Sequence, residues 1–322
     1  MTKKRFSLGV VFSLLSWGTL KADPVFVPAL TVSPDARTTA LGGAVTASPE
    51  GAESLMVNPA APATLETPTL TLSRADYLDT LTLNEVMGAF PQKGWVLGLG
   101  LKTYSAGTLP ETSSGGEQEG TFSPKDLVGV VNISKRLLGN SFGISGKYIQ
   151  STLKEPTKTM AFDFGFLSDP LTKRKIRFGL SALNLGEGIK YNEKLEPLAS
   201  EGRGGVSIRP IPRISVSADI VIQQGQTTQP AFGAEAHLVK TNTVSLLGRA
   251  GYNNQGSDLG SGFSAGVGLT LGIFSVNYSF APMGDLGDTH RLSLSWKGPE
   301  ENDTPPQKRK PNTPRQPLKL GD

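Results

Sequence analysis

Residues 262–296 read GFSAGVGLTLGIFSVNYSFAPMGDLGDTHRLSLSW, and this stretch decides the fold class. Large apolar residues alternate in it with small or polar ones, as where Val267 and Leu269 stand on either side of Gly268. A strict period of two predicts β-strands, because neighbouring side chains of a strand point to opposite faces of the sheet. One face of these strands is therefore apolar, and the other consists mostly of Gly, Ser and Asn.

A β-sandwich in water also alternates, so the kind of polar residue has to decide between the two architectures. The polar face carries few Lys and Glu side chains, and the alternation continues back through the chain, for example in residues 160–166 and 214–222. A sheet that exposes its apolar face to lipid must close on itself, because hydrocarbon offers no partner to unpaired backbone groups. We therefore predict an all-β fold: a single closed antiparallel transmembrane β-barrel with lipid outside and a lumen inside.

The barrel is predicted to span residues 68–297 with about 14 strands. Long polar connections, such as residues 105–124 and 186–203, follow odd-numbered strands, and short turns, such as residues 91–94, follow even-numbered ones. Outer-membrane barrels sort their connections in this way, whereas a sandwich has no reason to do so. An even strand count then places both termini on the short-turn side, which we predict to be the periplasmic side of an outer membrane.

The two ends of the chain differ from the barrel in composition. Residues 1–22 combine basic residues at positions 3–5, an apolar run over 6–20 and a small residue at position 22, which predicts a cleaved secretory signal peptide. An uncleaved anchor helix is the alternative. Residues 298–322 are rich in Pro and charge and are predicted to be a disordered periplasmic tail, either solvated or able to dock a partner.

The basic net charge does not point to nucleic acid. Of the 32 basic and 28 acidic residues, the leader holds four basic ones, and the tail holds five basic and four acidic ones, which leaves 23 basic and 24 acidic residues in the body. A nearly neutral body lacks the basic surface that a nucleic-acid partner requires.

Residues 23–67 lack the alternation and are rich in Ala, Gly and Pro. Ser48 and Pro49 predict the start of one short helix that ends before Pro59. A compact hatch inside the barrel fits this apolar, small-residue composition, and a plain linker is the alternative.

Two motifs in this segment carry a family resemblance. "ARTTALGGA" (residues 36–44) followed by "SLMVNPAAPA" (residues 54–63) resembles the N-terminal signature of the PorV/PorQ family, within the FadL-like group of outer-membrane barrels. The chain departs from that signature at Met56, where relatives have an aromatic residue, and after Ala60, where they have Gly and Leu. The motif residues are Leu41, Gly42, Gly43, Ala44, Asn58, Pro59 and Ala60.

The resemblance implies a 14-stranded barrel closed by a hatch, with one of two activities. FadL-like members take up hydrophobic small molecules, whereas PorV-type members act in type IX protein secretion and surface attachment. Uptake predicts an apolar pocket beneath the long loops, lined by hatch residues and by Leu109, Phe122 and Leu185. Secretion predicts a flat or open rim. Expected partners are membrane lipid and either a hydrophobic ligand or secreted protein cargo.

Catalysis has little support in the sequence. There is no Cys, and only His237 and His290 are present, so His/Cys metal clusters and Cys nucleophiles are excluded. An outer-membrane lipid hydrolase built on a Ser–His pair is a remote alternative. We predict no enzyme activity, no metal and no cofactor.

Several charged residues fall on the inward phase of the predicted strands. They either pair with one another and with the hatch, or form a polar path around it. The candidates are Lys147, Asp163, Arg177, Asp219, Glu235, Arg249 and Arg291.

The predicted faces also separate two substitutions. Phe164→Lys on the lipid face is expected to cost about 2–4 kcal/mol, whereas Ser217→Lys on the lumen face is expected to be milder.

Overall fold

A computed structural model describes residues 27–33, 35–77, 81–191, 194–241, 243–254, 261–284 and 287–299. The predicted signal peptide and most of the predicted tail lie outside these ranges. Within them the chain forms a short helical segment followed by a closed antiparallel β-barrel of 14 strands, which confirms the predicted fold class.

Fourteen strands pair with their neighbours around the barrel, and the first closes against the last. The first strand, β1 (Thr69–Tyr77), pairs with the last, β18 (Asp288–Lys297), from Thr69 opposite Lys297 to Asp76 opposite His290, so no strand of the barrel keeps a free edge. The barrel strands are β1 (Thr69–Tyr77), β2 (Leu81–Gln92), β3 (Trp95–Ser105), β6 (Lys125–Leu137), β7 (Asn140–Thr152), β8 (Pro156–Leu167), β9 (Arg177–Gly186), β12 (Glu201–Ile211), β13 (Ile214–Gln223), β14 (Gln229–Lys240), β15 (Val244–Asn253), β16 (Phe263–Leu271), β17 (Phe274–Pro282) and β18 (Asp288–Lys297).

The two ends of the barrel differ. At one end, the turn rim, short connections join β2 to β3 and β6 to β7, the latter through Leu138 and Gly139 at positive φ. At the other end, the loop rim, the connections contain two small hairpins that the sequence analysis does not predict. They are β4 (Leu109–Thr112) with β5 (Gln118–Phe122), and β10 (Ile189–Tyr191) with β11 (Lys194–Glu196). Both hairpins fall inside segments that the sequence predicts to be long loops.

The apolar face of the barrel points outward and the small-residue face points inward. Large side chains such as Val131, Ile220 and Phe232 are about half exposed on the outer face. Their lumen-facing neighbours, such as Asn132 and Asp219, are buried. An exposed apolar band around a closed barrel is the surface expected against lipid, and it matches the predicted facing.

The segment before the barrel is more helical than predicted. It contains α1 (Pro28–Thr31), α2 (Ala36–Ala40) and two 3₁₀ helices, Ala52–Met56 and Ala61–Thr64. The Asp35 side chain caps α2 by accepting from Thr38 N at 2.6 Å. Gly51, and not the predicted Ser48, precedes the first 3₁₀ helix. Among the described residues, no helix has the length and apolar character needed to cross a bilayer.

Phe164→Lys tests the outward facing of the barrel wall. Phe164 is 49% exposed on the outer face, one lipid-facing position from the middle of β8, so we expect a cost of about 2 kcal/mol and a lower yield of folded barrel. The yield is measured by the heat-modifiable mobility of the barrel in gels. Phe164→Leu, which stays apolar, is the control, and equal yields for the two variants would contradict the facing.

The expectation that Ser217→Lys is mild needs correction. Ser217 does face the lumen, but it is buried and its hydroxyl donates to Ala44 O of the hatch at 2.5 Å. The lumen is filled at this point, so a lysine there would collide with the hatch instead of entering water.

Candidate functional site

The hatch, defined here as residues 27–67, runs around the inner wall of the barrel. It starts near the loop rim, where Val27 packs in one cluster with Ile189 and Leu198, and it reaches the turn rim where β1 begins at Thr69. The first described residue therefore lies at the opposite rim from the ends of β1 and β18 that meet at Lys297. The side of the membrane that each rim faces stays a prediction.

The first part of the hatch is bound to the wall by hydrogen bonds. Ala29 N donates to Asp126 of β6 at 3.4 Å, and Lys102 Nζ of β3 donates to Val32 O at 2.6 Å. On β18, Ser293 Oγ accepts from Ala36 N at 3.0 Å. These contacts tie the start of the hatch to one side of the barrel, because β18, β1, β2, β3 and β6 are consecutive strands of the wall.

The motif Leu41, Gly42, Gly43 and Ala44 is the bend at which the hatch backbone meets the wall. Gly42 and Gly43 have φ of +62° and +80°, which favours glycine, and a Cβ on Gly42 would lie 2.6 Å from Tyr252 N. The carbonyl of Gly43 accepts from Arg203 Nη2 at 2.5 Å. These contacts support the interpretation of this motif as a small-residue bend that allows close approach.

The second motif crosses the lumen to the strands on the other side. Asn58 is fully buried, and its Nδ2 donates to Thr46 O at 2.9 Å and to Phe166 O of β8 at 3.0 Å. Its Oδ1 accepts from Ala60 N at 3.0 Å, and Pro59 O accepts from Asn132 Nδ2 at 3.0 Å. One asparagine thus joins two hatch segments and the wall.

Lumen-facing glycines of the wall make this fit close. An added Cβ would lie 1.9 Å from Pro59 O at Gly143, 2.2 Å from Thr46 O at Gly179 and 2.1 Å from Gly42 N at Gly251. The atoms met are hatch backbone, which cannot rotate away. The hatch therefore fills the lumen at this level, and passage of a solute would require it to move.

Six of the seven predicted lumen charges have a partner in the structure. Each contacts either another charged residue of the wall or the hatch. Lys147 Nζ lies 2.9 Å from Asp163, and Arg249 Nε lies 2.6 Å from Glu235. Asp219 accepts from Thr46 N at 2.9 Å, and Arg291 Nε donates to Ser33 O at 2.9 Å. The seventh, Arg177, lies apart from these contacts at the turn rim.

Two arginines of this network were not predicted. Arg37 Nε lies 3.2 Å from Glu235; burial alone would lower the pKa of Arg37, but Glu235 and Glu50 raise it above its ordinary value. Arg203 bridges Glu201 at 2.9 Å and Asp219 at 3.6 Å. Arg203 lies four residues before Ser207 on β12 and therefore points to the same, inward face. Its position in the strand could have predicted that it faces the lumen.

The hatch also holds a buried acid close to the wall. Burial, together with the charge of Asp35, raises the pKa of Glu53 to about 8, and the Thr71 hydroxyl donates to the Glu53 carboxyl at 2.6 Å. Burial therefore favours the neutral, protonated form of this carboxyl.

A cavity of about 290 Å³ opens at the loop rim beside the start of the hatch. Its lining includes Pro28 of the hatch together with Tyr104, Leu153 and Tyr191. The residues expected to line such a pocket do not: Leu109 pairs with Phe122 in the β4–β5 hairpin, and Leu185 pairs with Phe162 on the wall.

A short hydrogen-bond chain orders the polar side of this cavity. Tyr191 OH donates to Ser151 Oγ at 2.7 Å, and Ser151 Oγ donates to Asp126 at 2.6 Å. Burial, and to a lesser extent Asp126, raises the pKa of Tyr191, so its hydroxyl stays neutral. The cavity therefore presents mainly neutral and apolar groups, with the Asp126 oxygens already engaged by Ser151 and Ala29.

A second cavity, of about 350 Å³, lies at the turn rim and is much more polar. His237 is in its wall, and its Nδ1 lies 3.1 Å from Ser245 Oγ. No carboxylate hydrogen-bonds the other ring nitrogen of His237 among the described residues. His290 lies on the outer face, where its Nδ1 is 2.7 Å from Tyr278 OH. Within the described part of the chain, neither histidine has the third group that orients the base in a catalytic triad.

The barrel is similar in fold to solved structures of a toluene transporter and of a FadL homologue. The toluene transporter TodX of Pseudomonas putida superposes with a TM-score of 0.57 at 11% identity, over 81% of this chain and 96% of that one. A FadL homologue of Pseudomonas aeruginosa gives a TM-score of 0.53 at 11% identity, over 82% and 98%. No family model matches the sequence, and no curated protein matches it significantly. At this identity the likeness establishes a FadL/TodX-like fold, while membership of the PorV/PorQ family stays a prediction.

Proposed function

We propose that this protein is a non-enzymatic outer-membrane channel or binding protein for hydrophobic small molecules. The observation that carries the proposal is the loop-rim cavity, an open space lined mainly by aromatic and apolar side chains and bordered by Pro28 of the hatch. Small-molecule sites are typically concave and mainly apolar, with a few polar groups that fix orientation. The Tyr191–Ser151–Asp126 chain supplies those polar groups.

The fold supports the same proposal. TodX is described as a monoaromatic hydrocarbon channel, and it shares the 14-stranded architecture at low sequence identity. In the proposed arrangement the loop rim faces outward, and a ligand enters the cavity there before any movement of the hatch. Burial of its apolar surface provides the binding energy.

Secretion, the alternative implied by the PorV/PorQ resemblance, fits the loop rim less well. A cargo-receiving rim is expected to be flat or open. Here the β10–β11 hairpin folds inward, so that Ile189 packs on Val27 and Ala29 of the hatch. This covered rim supports small-molecule binding over the handling of a folded protein.

Tyr191→Asp is expected to weaken binding of an apolar probe at least ~10-fold, because it places a charge in an apolar site beside Asp126. The measurement is equilibrium binding of toluene to the purified protein in detergent, by competition with a fluorescent apolar dye. Mass spectrometry of co-purified organic molecules identifies the natural ligand class.

Tyr191→Phe is the matched control, since it keeps the ring and loses only the hydrogen bond to Ser151. It should bind the probe within about threefold of the unaltered protein. Undiminished binding by the aspartate variant would place the ligand elsewhere. Recovery of structural phospholipid alone, with other envelope proteins attached, would favour the secretion alternative.

A further inference from the structure

The turn-rim cavity carries a local excess of positive charge. Lys175, Arg177 and Arg209 contribute to its lining, and none of the three side chains has a hydrogen bond or ion pair with another described residue. The Arg177 Nε atom is also buried without a hydrogen-bond partner. A buried guanidinium N–H without an acceptor destabilises the fold unless another group accepts its hydrogen bond.

The acidic residues of the same cavity are already engaged. Glu235 contacts both Arg37 and Arg249, and Glu50 contacts Arg37 at 3.1 Å and Lys297 at 3.6 Å. Outside the cavity, the nearby Asp169 is held by Arg136. Asp169 also attracts Arg177 through space, but no acid among the described residues hydrogen-bonds or pairs directly with the side chains of Lys175, Arg177 or Arg209.

We propose that this cavity is a binding site for a phosphate group, held by Arg177 and Arg209 with Lys175 as the third cation. A guanidinium presents parallel N–H donors that match the oxygens of phosphate, and three cations suit a group that carries up to two negative charges. The volume of about 350 Å³ has room for the group and part of the molecule that bears it. The site lies at the opposite rim from the apolar cavity, so it does not depend on the proposed channel function.

Two sources of phosphate fit the position of the cavity. β12 changes register between Ile208 and Ile211 at this rim, and the outward-phase residue Ile208 joins Ser207 in the lining. The cavity therefore reaches the edge of the wall, where a phospholipid headgroup could enter, and it is also open to soluble phosphates. The shared chemistry is the phosphate group, and the experiment separates the sources.

The test compares Arg177→Gln with the unaltered full-length protein. In neutral detergent, isothermal titration with inorganic phosphate measures the soluble arm. Nanodiscs of phosphatidylcholine with and without phosphatidylglycerol measure the lipid arm, by the anionic lipid retained after extraction. We expect saturable binding in at least one arm and a loss of about tenfold or more in affinity or retention for Arg177→Gln.

Arg74→Gln is the control, because this substitution removes the same charge at a different place. Arg74 is exposed and pairs with Asp76 near the loop rim. This control should bind as the unaltered protein does, and Arg177→Lys should retain part of the affinity. Heat-modifiable gel mobility verifies that each variant is folded. Absence of saturable binding in both arms, or equal binding by folded Arg177→Gln, overturns the proposal.

Discussion

Replacing Gly143 with alanine is expected to displace the hatch and to destabilise the folded barrel by about 3 kcal/mol. The added Cβ would lie 1.9 Å from Pro59 O, 2.3 Å from Pro59 C and 2.7 Å from Ala60 N. All three are backbone atoms, so the hatch itself has to shift, and the hydrogen bond from Asn132 to Pro59 is lost with it. Two measurements check this: the urea midpoint of unfolding, and ion conductance across a planar bilayer, which should rise when the hatch is displaced.

The same strand offers a matched control on its other face. Gly146 points outward, and a Cβ there would meet nothing within 4 Å, so Gly146→Ala should change stability by less than about 0.5 kcal/mol and leave the conductance low. Both variants add one methyl group to β7. Similar behaviour of the two would show that the hatch is not seated on Gly143.

The contrast between these glycines explains what the sequence could predict. A period of two assigns Gly143 to the lumen and Gly146 to the lipid, because facing depends only on strand phase. It does not predict which hatch atom lies over each inward glycine. That match depends on the path of an irregular segment, which has no period to read.

The short helices of the hatch show the same limit. The residues Ser48 and Pro49 predict one helix that starts there. In the structure, Gly51 has a positive φ, and a 3₁₀ helix begins after it. The Asp35 cap of α2 was a local signal that could have been used. The β10–β11 hairpin had weaker signals, since it is only three residues per strand and is held by packing on the hatch.

For the candidate sites, the sequence predicted the residue types better than their grouping. Strand phase predicts which charges point inward. It does not predict that Glu235 pairs with Arg37, a hatch residue 198 positions earlier in the chain. The loop-rim cavity was expected from the resemblance, but its lining comes from the ends of several strands and not from Leu109, Phe122 or Leu185. Grouping of this kind follows from tertiary packing, which phase alone does not contain.

Lys147→Met is expected to destabilise the barrel by about 3–5 kcal/mol, which makes it the most damaging of the proposed substitutions. Lys147 and Asp163 lie 2.9 Å apart with side chains that are 1% and 0% exposed. Removing the lysine leaves a carboxylate in the closed lumen without its counter-charge, and Asn184 Oδ1 loses the Lys147 donor at 2.7 Å. The urea midpoint of the detergent-solubilised barrel measures the loss.

A second substitution separates the buried charge from the lost packing. In the unaltered protein, Asn184 N donates to the Asp163 carboxylate at 2.7 Å. Asp163→Asn removes the negative charge but keeps an oxygen that can accept this hydrogen bond. The double variant Lys147→Met with Asp163→Asn should therefore recover most of the stability, because no uncompensated charge remains. Lys154→Met, at an exposed pair with Glu111, should cost less than about 1 kcal/mol. If Lys147→Met cost no more than Lys154→Met, the Lys147–Asp163 pair would have to be open to water, and the lumen could not be closed at this level.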